Sequence, residues 1–412
     1  MKILVITNYY FPDGGPAAPL FTMLCEALAK QGNEVTVITS VPHYPSGNVP
    51  AEFRGKRAFK SNENGVQVTR LGLPSINRSN LWARLFQFIV FQFKALIDSM
   101  HCSYDILLTH TPSLEIWLPF AYHSVIRNKP AVYSVHDVYP DVGIRLGIFR
   151  SKASRYAVGF LEKFCLKHAK KVRVLSPSFV PALKRMGVEE EKLCLIYDWV
   201  DTNAISPSPR RNDFSIEQDL TNDFVVLYAG NIGLVQGLDT VIDSARLLAE
   251  ERDIRFVFVG DGAGLKALIE KKESLRLTNV DFISYQPRER MSEIFATADI
   301  SLVSLKEGTS FGALPSKTYS IMASERPIIA SVDQGSDIWN LIERSECGVC
   351  VPAENPSLLA EAIKCLKFDY ERRIRLGKKG REYVLKNHSP QSAAAQFDTL
   401  LKQLMRESRQ YS

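Results

Sequence analysis

Short apolar runs alternate with stretches of helical periodicity along the chain. In the first half Lys2–Thr7, Glu34–Ser40, Ile106–Thr109, Ala131–Ser134 and Val172–Leu175 read as buried strands, with Ala17–Lys30 as a helix. The rhythm breaks at residues 203–222, a polar run rich in Pro and Ser, and then restarts. Phe224–Ala229, Arg255–Val259, Val280–Ile283, Ile300–Ser304, Pro327–Ser331 and Gly348–Val351 are the strands of the second half. Gly237–Glu250, Gly264–Glu273 and Met291–Ala296 are helices between them. This alternation predicts an α/β fold of two Rossmann-like, doubly wound parallel domains. The expected division is an N-terminal domain over 1–202, a C-terminal domain over 203–388 with the linker at 203–222, and a C-terminal helix within 389–412. That helix is patterned over Ser389–Glu407, with Ala393, Phe397, Leu400, Leu401 and Leu404 on the one face by which it docks. Ligands of such sheets sit beyond the carboxyl ends of the strands, so a cleft that the two domains face is the expected site.

Residues 81–100 form a segment of their own kind: Trp82, Phe86, Phe88, Phe91 and Phe93, with Arg84 and Lys94 as its cations. It suits first a helix packed on the sheet, with a helix lying on a membrane surface as the second reading.

A chain of 412 residues exceeds one ordinary core, and 45% hydrophobic with 23% charged residues suits well-packed domains. A run of about 20 uninterrupted apolar residues is lacking, so no transmembrane helix is expected. The N-terminal MKILVITNYYF is broken by Thr7 and Asn8 and reads as a first strand rather than a signal peptide. Seven dispersed cysteines point to reduced thiols and a cytoplasmic protein, and Cys347 and Cys350 alone cannot close a zinc site. The net charge of +6 is uneven: residues 1–200 carry 24 Lys+Arg against 15 Asp+Glu, the remainder 27 against 30. A basic first half implies an anionic partner, either a membrane surface or a phosphate-bearing substrate. Nucleic-acid motifs are lacking and no nucleic acid is expected.

The candidate chemistry begins with phosphate. Asp13-Gly14-Gly15-Pro16 follows the first strand, and Tyr228-Ala-Gly-Asn231 through Gln236 and Gly237 follows the first strand of the second half. Glycines there let backbone N–H groups approach an anion. Gly260-Asp-Gly-Ala-Gly264 is near a dinucleotide fingerprint, with Asp281 about 20 residues on, but its third glycine comes one residue early. Lys306–Ser320 joins a strand to an apolar helix: Gly308 and Gly312 loosen the loop, Pro315 suits a first helical turn, and Ser316 and Lys317 stand where a diphosphate can be received. His136 and Asp137 close the Ala131–Ser134 strand and are cleft candidates. D-x-D, Walker and G-x-S-x-G motifs are lacking, so neither a metal nor a cofactor is expected.

Taken together, these residues resemble the family-4 retaining glycosyltransferases of GT-B fold. The resemblance rests on Gly14-Gly15, His136-Asp137, Asp198-Trp-Val-Asp201, Tyr228-Ala-Gly-Asn231, Val259-Gly-Asp-Gly262, Ala298-Asp299-Ile300 and Pro315–Pro327, and it runs over nearly the full length. It implies His136, Asp137 and Lys317 as catalytic residues. It implies donor contacts from Gly14, Gly15, Asn231, Gln236, Gly262, Tyr285, Gly308, Phe311, Gly312, Leu314, Pro315, Ser316 and Ser320. The family usually carries two glutamates where Gly312 and Ser320 stand, and an Arg and a Lys where Asn231 and Gln236 stand. Lys317 is expected to supply part of the missing charge. The pattern resembles the L-fucosamine transferase branch of bacterial O-antigen and capsule assembly. This implies a UDP-linked N-acetylated deoxyhexosamine donor, a polyprenyl-diphosphate-linked saccharide acceptor, metal-independent transfer with retention, and work at the cytoplasmic face of the inner membrane. A UDP-sugar 2-epimerase of the same fold and a non-catalytic nucleotide-sugar binding protein are the alternatives; a glycosidase is disfavoured because no carboxylate pair can be placed.

Overall fold

The computed structural model describes residues 1–15, 17–78, 80–139, 151–311 and 314–410. Two compact units result, Met1–Asp198 with Ala393–Ser412, and Trp199–Ser392.

The first unit is built on an eight-stranded sheet. Its strands are β1 (Lys2–Ile6), β2 (Glu34–Ser40), β3 (Ala58–Glu63), β4 (Val66–Leu71), β5 (Ile106–His110), β6 (Ala131–Val135), β7 (Lys171–Val174) and β8 (Leu193–Leu195), in the order β3-β4-β2-β1-β5-β6-β7-β8. Ile3–Val5 of β1 pair in parallel with Val35–Val37 of β2 and Ile106–Leu108 of β5. These central strands are buried on both faces, which is why they read as unbroken apolar runs. The expectation of a wholly parallel sheet needs one correction: β3 runs antiparallel to β4. Their turn is Asn64-Gly65, both at positive φ, the residue pair a tight hairpin favours. The polar sequence of β3 suits an edge strand.

Helices α1 (Ala18–Lys30), α2 (Leu81–Ser99) and α3 (Ser113–Ala121) cover this sheet. The terminal helix runs Pro390–Gln410, and its Ala393, Ala394, Phe397, Leu401 and Leu404 are buried in this unit. Phe397 lies 6.0 Å from the guanidinium of the fully buried Arg173, and Asp398 accepts a 3.1 Å hydrogen bond from Asn33.

The second unit holds an all-parallel, six-stranded sheet of β9 (Phe224–Ala229), β10 (Ile254–Val259), β11 (Val280–Ile283), β12 (Ile300–Ser304), β13 (Ile328–Val332) and β14 (Gly348–Pro352), ordered β11-β10-β9-β12-β13-β14. The strand order reverses at β9, so the crevice past β9 and β12 is where a doubly wound sheet takes its ligand. Residues 203–222 are not a free connector. Phe214 is buried in the core of this unit, and Arg210 ties the segment to the Asp299 carboxylate (3.0 Å) and to the carbonyls of Leu220, Thr221 and Asp223. The polarity read as a linker serves these anchors.

Candidate functional site

In the second unit the loops after β9, β10, β12 and β13 converge. The loop after β9 is zipped to the loop after β10 by backbone bonds: Ile232 N donates to Asp261 O (2.8 Å), and Gly264 N to Ile232 O (2.8 Å). Gly262 permits this approach, since a Cβ there would meet Ile232 O and lie 2.7 Å from Asn231 Oδ1. Tyr228, at the end of β9, donates its hydroxyl proton to Asn231 O (2.7 Å), with Gln236 Oε1 also within reach at 3.1 Å, which fixes the bend of that loop. After β12, the Asp333 carboxylate accepts from Gly308 N (2.9 Å) and Ser310 N (3.1 Å). Burial works to raise the Asp333 pKa, but these N–H groups outweigh it and hold the carboxyl below its usual range.

Lys317 opens the helix Lys317–Ala323, and its side chain turns back onto the β9 loop. Its Nζ lies 3.7 Å from the centre of the Tyr228 ring and would be 3.2 Å from a Cβ on Gly230. This Nζ is buried and has no hydrogen-bond partner among the described residues. Burial pushes its pKa down to about 7. A lysine held in this way is short of one thing, an anion.

The first unit gathers a second group at the carboxyl ends of β1, β2, β5 and β6. Asp13 accepts from Gly15 N (2.7 Å), His43 N (2.8 Å) and Tyr44 N (3.3 Å). The Tyr9 ring stacks on His43 at 5.4 Å and its hydroxyl faces Glu115 Oε1 at 3.5 Å. His136 follows β6; its N donates to Thr111 Oγ1 (3.0 Å), its Nδ1 lies 3.9 Å from Asp198 Oδ1, and its ring meets His110 edge-on. Burial lowers the His136 pKa to about 3, with Asp198 opposing and Arg173 and His110 adding to the effect. Arg173 itself donates to Asp198 Oδ1 at 2.6 Å. Asp137 is exposed, and its N lies 3.4 Å from the same Thr111 Oγ1.

Residues 209–383 match the family model of glycosyl transferases group 1, and residues 18–204 match that of glycosyltransferase family 4. The chain is a glycosyltransferase. Its fold is GT-B: the structure of HepE from Anabaena in complex with UDP superposes with a TM-score of 0.71 at 16% identity, covering 98% of this chain and 100% of that one. WcaI of Escherichia coli (strain K12), named as a colanic acid biosynthesis glycosyl transferase, is 27% identical over 376 residues, 88% of this chain and 91% of that protein. WbjE of Pseudomonas aeruginosa, named as a glycosyltransferase, is 25% identical over 345 residues, 82% of this chain and 84% of that protein.

Within the glycosyltransferase, Asn231, Gln236, Gly262 and Gly308 belong to the second-unit loops, with exposed Tyr285 after β11, exposed Phe311 in the β12 loop, and Lys317 and half-buried Ser320 on the helix. Gly312 lies outside the described residues. The structure adds detail at several of these positions. Pro315 precedes the N-cap Ser316 instead of opening the helix, and Ser316 makes no side-chain cap. Leu314 packs against the core. In the first unit, Gly15 N–H is already taken by Asp13, so it is not a free donor for phosphate; a Cβ at Gly15 would run into the Tyr9 ring. Asp281 pairs with Arg255 (Nε at 2.9 Å), which removes the dinucleotide reading of Gly260–Gly264. Burial pushes both Cys347 and Cys350 thiols up to about 12, away from redox chemistry. Sequence reasoning missed Asp333, Glu115 and Glu162. Burial raises each of these two glutamates to about 7. Glu162 accepts from Tyr133 Oη at 2.9 Å and Ser113 N at 3.2 Å.

Proposed function

We propose that this glycosyltransferase moves an N-acetylated deoxyhexosamine, of the L-FucNAc kind, from UDP to a polyprenyl-diphosphate-linked saccharide in the assembly of a surface polysaccharide. The second unit takes the donor. Lys317 carries this reading: its Nζ, without a hydrogen-bond partner among the described residues, packs on Gly230 and the Tyr228 ring at the start of the loop that carries Asn231 and Gln236, where the family usually supplies an Arg and a Lys. A diphosphate placed there regains a cation from a neighbouring helix instead of from the loop itself. UDP and UDP-glucose in complexes of HepE, and the colanic acid pathway in the name of WcaI, support donor class and process.

The transfer proceeds with retention. The bond from the sugar anomeric carbon to the diphosphate oxygen breaks, and an acceptor hydroxyl forms the new bond on the same face. The hydroxyl proton passes to the departing phosphate oxygen, giving UDP and the extended saccharide. Lys317, Ser316 and the backbone N–H groups of Phe311 and Leu314, which Asp333 does not take, meet the charge that grows on the diphosphate, without a metal. His136 is neutral near pH 7 and, with Asp137, positions the sugar or acceptor.

Helix α2 both packs inward, through Phe88, Phe91 and Ala95, and leaves Trp82, Phe86, Ile89, Phe93 and Ile97 exposed at helical spacing. This outward stripe lies on the cytoplasmic face of the inner membrane, where the lipid-linked acceptor is found. No helix among the described residues is long and apolar enough to cross a membrane. The test is to supply UDP-sugars with a prenyl-diphosphate-linked saccharide and separate the products. Acceptor-dependent UDP release with an extended lipid supports transfer. Conversion of the UDP-sugar to an epimer without acceptor would establish the 2-epimerase instead.

A further inference from the structure

Helix α4 (Lys152–His168) sorts its charges by face. Its one acid, Glu162, is 2% exposed and turned inward, where it accepts from Tyr133 Oη (2.9 Å) and Ser113 N (3.2 Å). Its cations Lys152, Arg155 and Lys163 are exposed. At the rotation of an α-helix, these three fall with Tyr156 and Phe160 inside an arc of about 140°. Between this face and the short helix α5 (Val180–Arg185) runs a groove of about 630 Å³. Arg185 adds a fourth cation from the α5 side, and among the described residues no Asp or Glu lines the groove. Its two aromatic rings reach far into solvent: Tyr156 is 79% exposed and Phe160 56%.

Four like charges along one groove repel one another, and two rings in water leave apolar surface unburied. A partner that is anionic on one side and apolar on the other relieves both. Lysine and arginine beside tyrosine and phenylalanine is the composition of a helix at the headgroup layer of a membrane. The packing agrees. Helix α3 lies between α2 and α4: Gln92 of α2 accepts from Leu118 N (2.8 Å), and Trp117 of α3 meets Phe164 of α4 edge-on at 5.7 Å. The outward stripe of α2 and the groove therefore belong to one layer of helices. We propose that the α4–α5 groove binds the headgroup of an anionic phospholipid in the membrane on which α2 lies. Lys152, Arg155, Lys163 and Arg185 meet the headgroup charge, and Tyr156 and Phe160 enter the interface beside it. The stripe of α2 is apolar and takes any lipid, so the preference for an anionic surface comes from the groove. An acidic protein segment would match the cations and leave the two rings without an apolar layer to enter. The inference rests on the membrane reading of α2, and the two fail separately.

The experiment is sedimentation of the full chain with vesicles of phosphatidylcholine alone, and of equal parts phosphatidylcholine and phosphatidylglycerol, at low salt. Wild type binds the mixed vesicles at least about tenfold more tightly. Each cation near an anionic surface is worth about fivefold in binding, so Lys163→Gln with Arg185→Gln weakens binding to the mixed vesicles by about 25-fold. Both side chains are exposed, so this variant keeps the wild-type melting temperature, and its UDP affinity stays within about twofold. Unchanged binding in the glutamine variant, or equal binding of wild type to both vesicles, overturns the groove. If Trp82→Glu with Phe86→Glu loses the mixed vesicles while the glutamine variant keeps them, α2 is the lipid contact and the groove is not. Wild type that binds polyglutamate more tightly than the mixed vesicles makes an acidic protein the occupant and overturns the lipid. Wild type that sediments with neither vesicle overturns the groove together with the membrane reading of α2, and leaves donor binding and transfer standing.

Discussion

Replacing Lys317 by methionine separates what this residue costs the fold from what it gives the reaction. Burial lowers its pKa from the ordinary 10.5 to about 7. That drop corresponds to ~5 kcal/mol against holding the charge in the folded protein. The contact of Nζ with the Tyr228 ring at 3.7 Å returns about 1–2 kcal/mol of it. A net cost of about 3 kcal/mol is left. The sign follows from the two states. Below pH 7 the lysine is charged both folded and unfolded, and the cost is full. Between the folded-state pKa, which the ring contact lifts above 7, and 10.5 the unfolded chain keeps a proton that the folded chain has released, so wild-type stability rises with pH by at most about 1.4 kcal/mol per pH unit and about 3 kcal/mol in all. Above 10.5 the cost is gone. Lys317→Met is therefore more stable than wild type at pH 6, by about 6–12 °C in the melting temperature of a unit of roughly 200 residues. The margin shrinks toward pH 9. The same variant loses the stabilisation that UDP gives the wild type, and its turnover falls by about 10²-fold. Differential scanning calorimetry at pH 6 and 9, with and without UDP, reads all of this except turnover. A variant less stable than wild type at pH 6, or one that UDP still stabilises in full, refutes the reasoning.

Other outcomes follow from the same geometry. Gly262→Ala drives a Cβ into Ile232 O and Asn231 Oδ1 and should cost about 1–3 kcal/mol together with donor affinity, read by thermal unfolding and UDP titration. Asp333→Asn keeps the shape but weakens the hold on Gly308 and Ser310; UDP affinity should fall by about tenfold, and an unaltered affinity would detach this loop from donor binding. His136 should titrate near pH 3 by NMR and stay neutral from pH 5 to 8; a midpoint above 6 contradicts the burial that sets it. Trp82→Glu with Phe86→Glu should leave UDP affinity intact and abolish sedimentation with anionic vesicles, and continued sedimentation would clear α2 of lipid contact.

Burial on both faces made the central strands legible. β9 and β12, neighbours at the centre of their sheet and buried throughout, begin and end where their apolar runs do. The edge escaped the same logic: β3 is AFKSNE, and only its Asn64-Gly65 turn announced it. The helix Tyr370–Asn387 was missed for another reason. It is strongly charged, and two of its four buried residues are Gly377 and Gly380, so close backbone approach replaces an apolar stripe. A Cβ on Gly377 would run into Glu325 O. At the site, position was readable and direction was not. Lys317 stands out at the start of its helix, but its turn onto Tyr228 depends on a ring 89 residues earlier (317 minus 228). Glu115 draws its neighbours from Asn8, Tyr9, Arg78 and Arg84, and no local spacing brings these together. Asp333 likewise acts on amides 23 and 25 residues away.

Metal-free binding of a nucleoside diphosphate by the second unit, through Lys317 and backbone donors, is what the proposed transfer requires. Titrating UDP into the purified protein, with and without EDTA, tests it most directly. One site is expected, with an affinity that EDTA does not change and that Lys317→Met removes. Failure to bind UDP, or binding that disappears with EDTA, would contradict it.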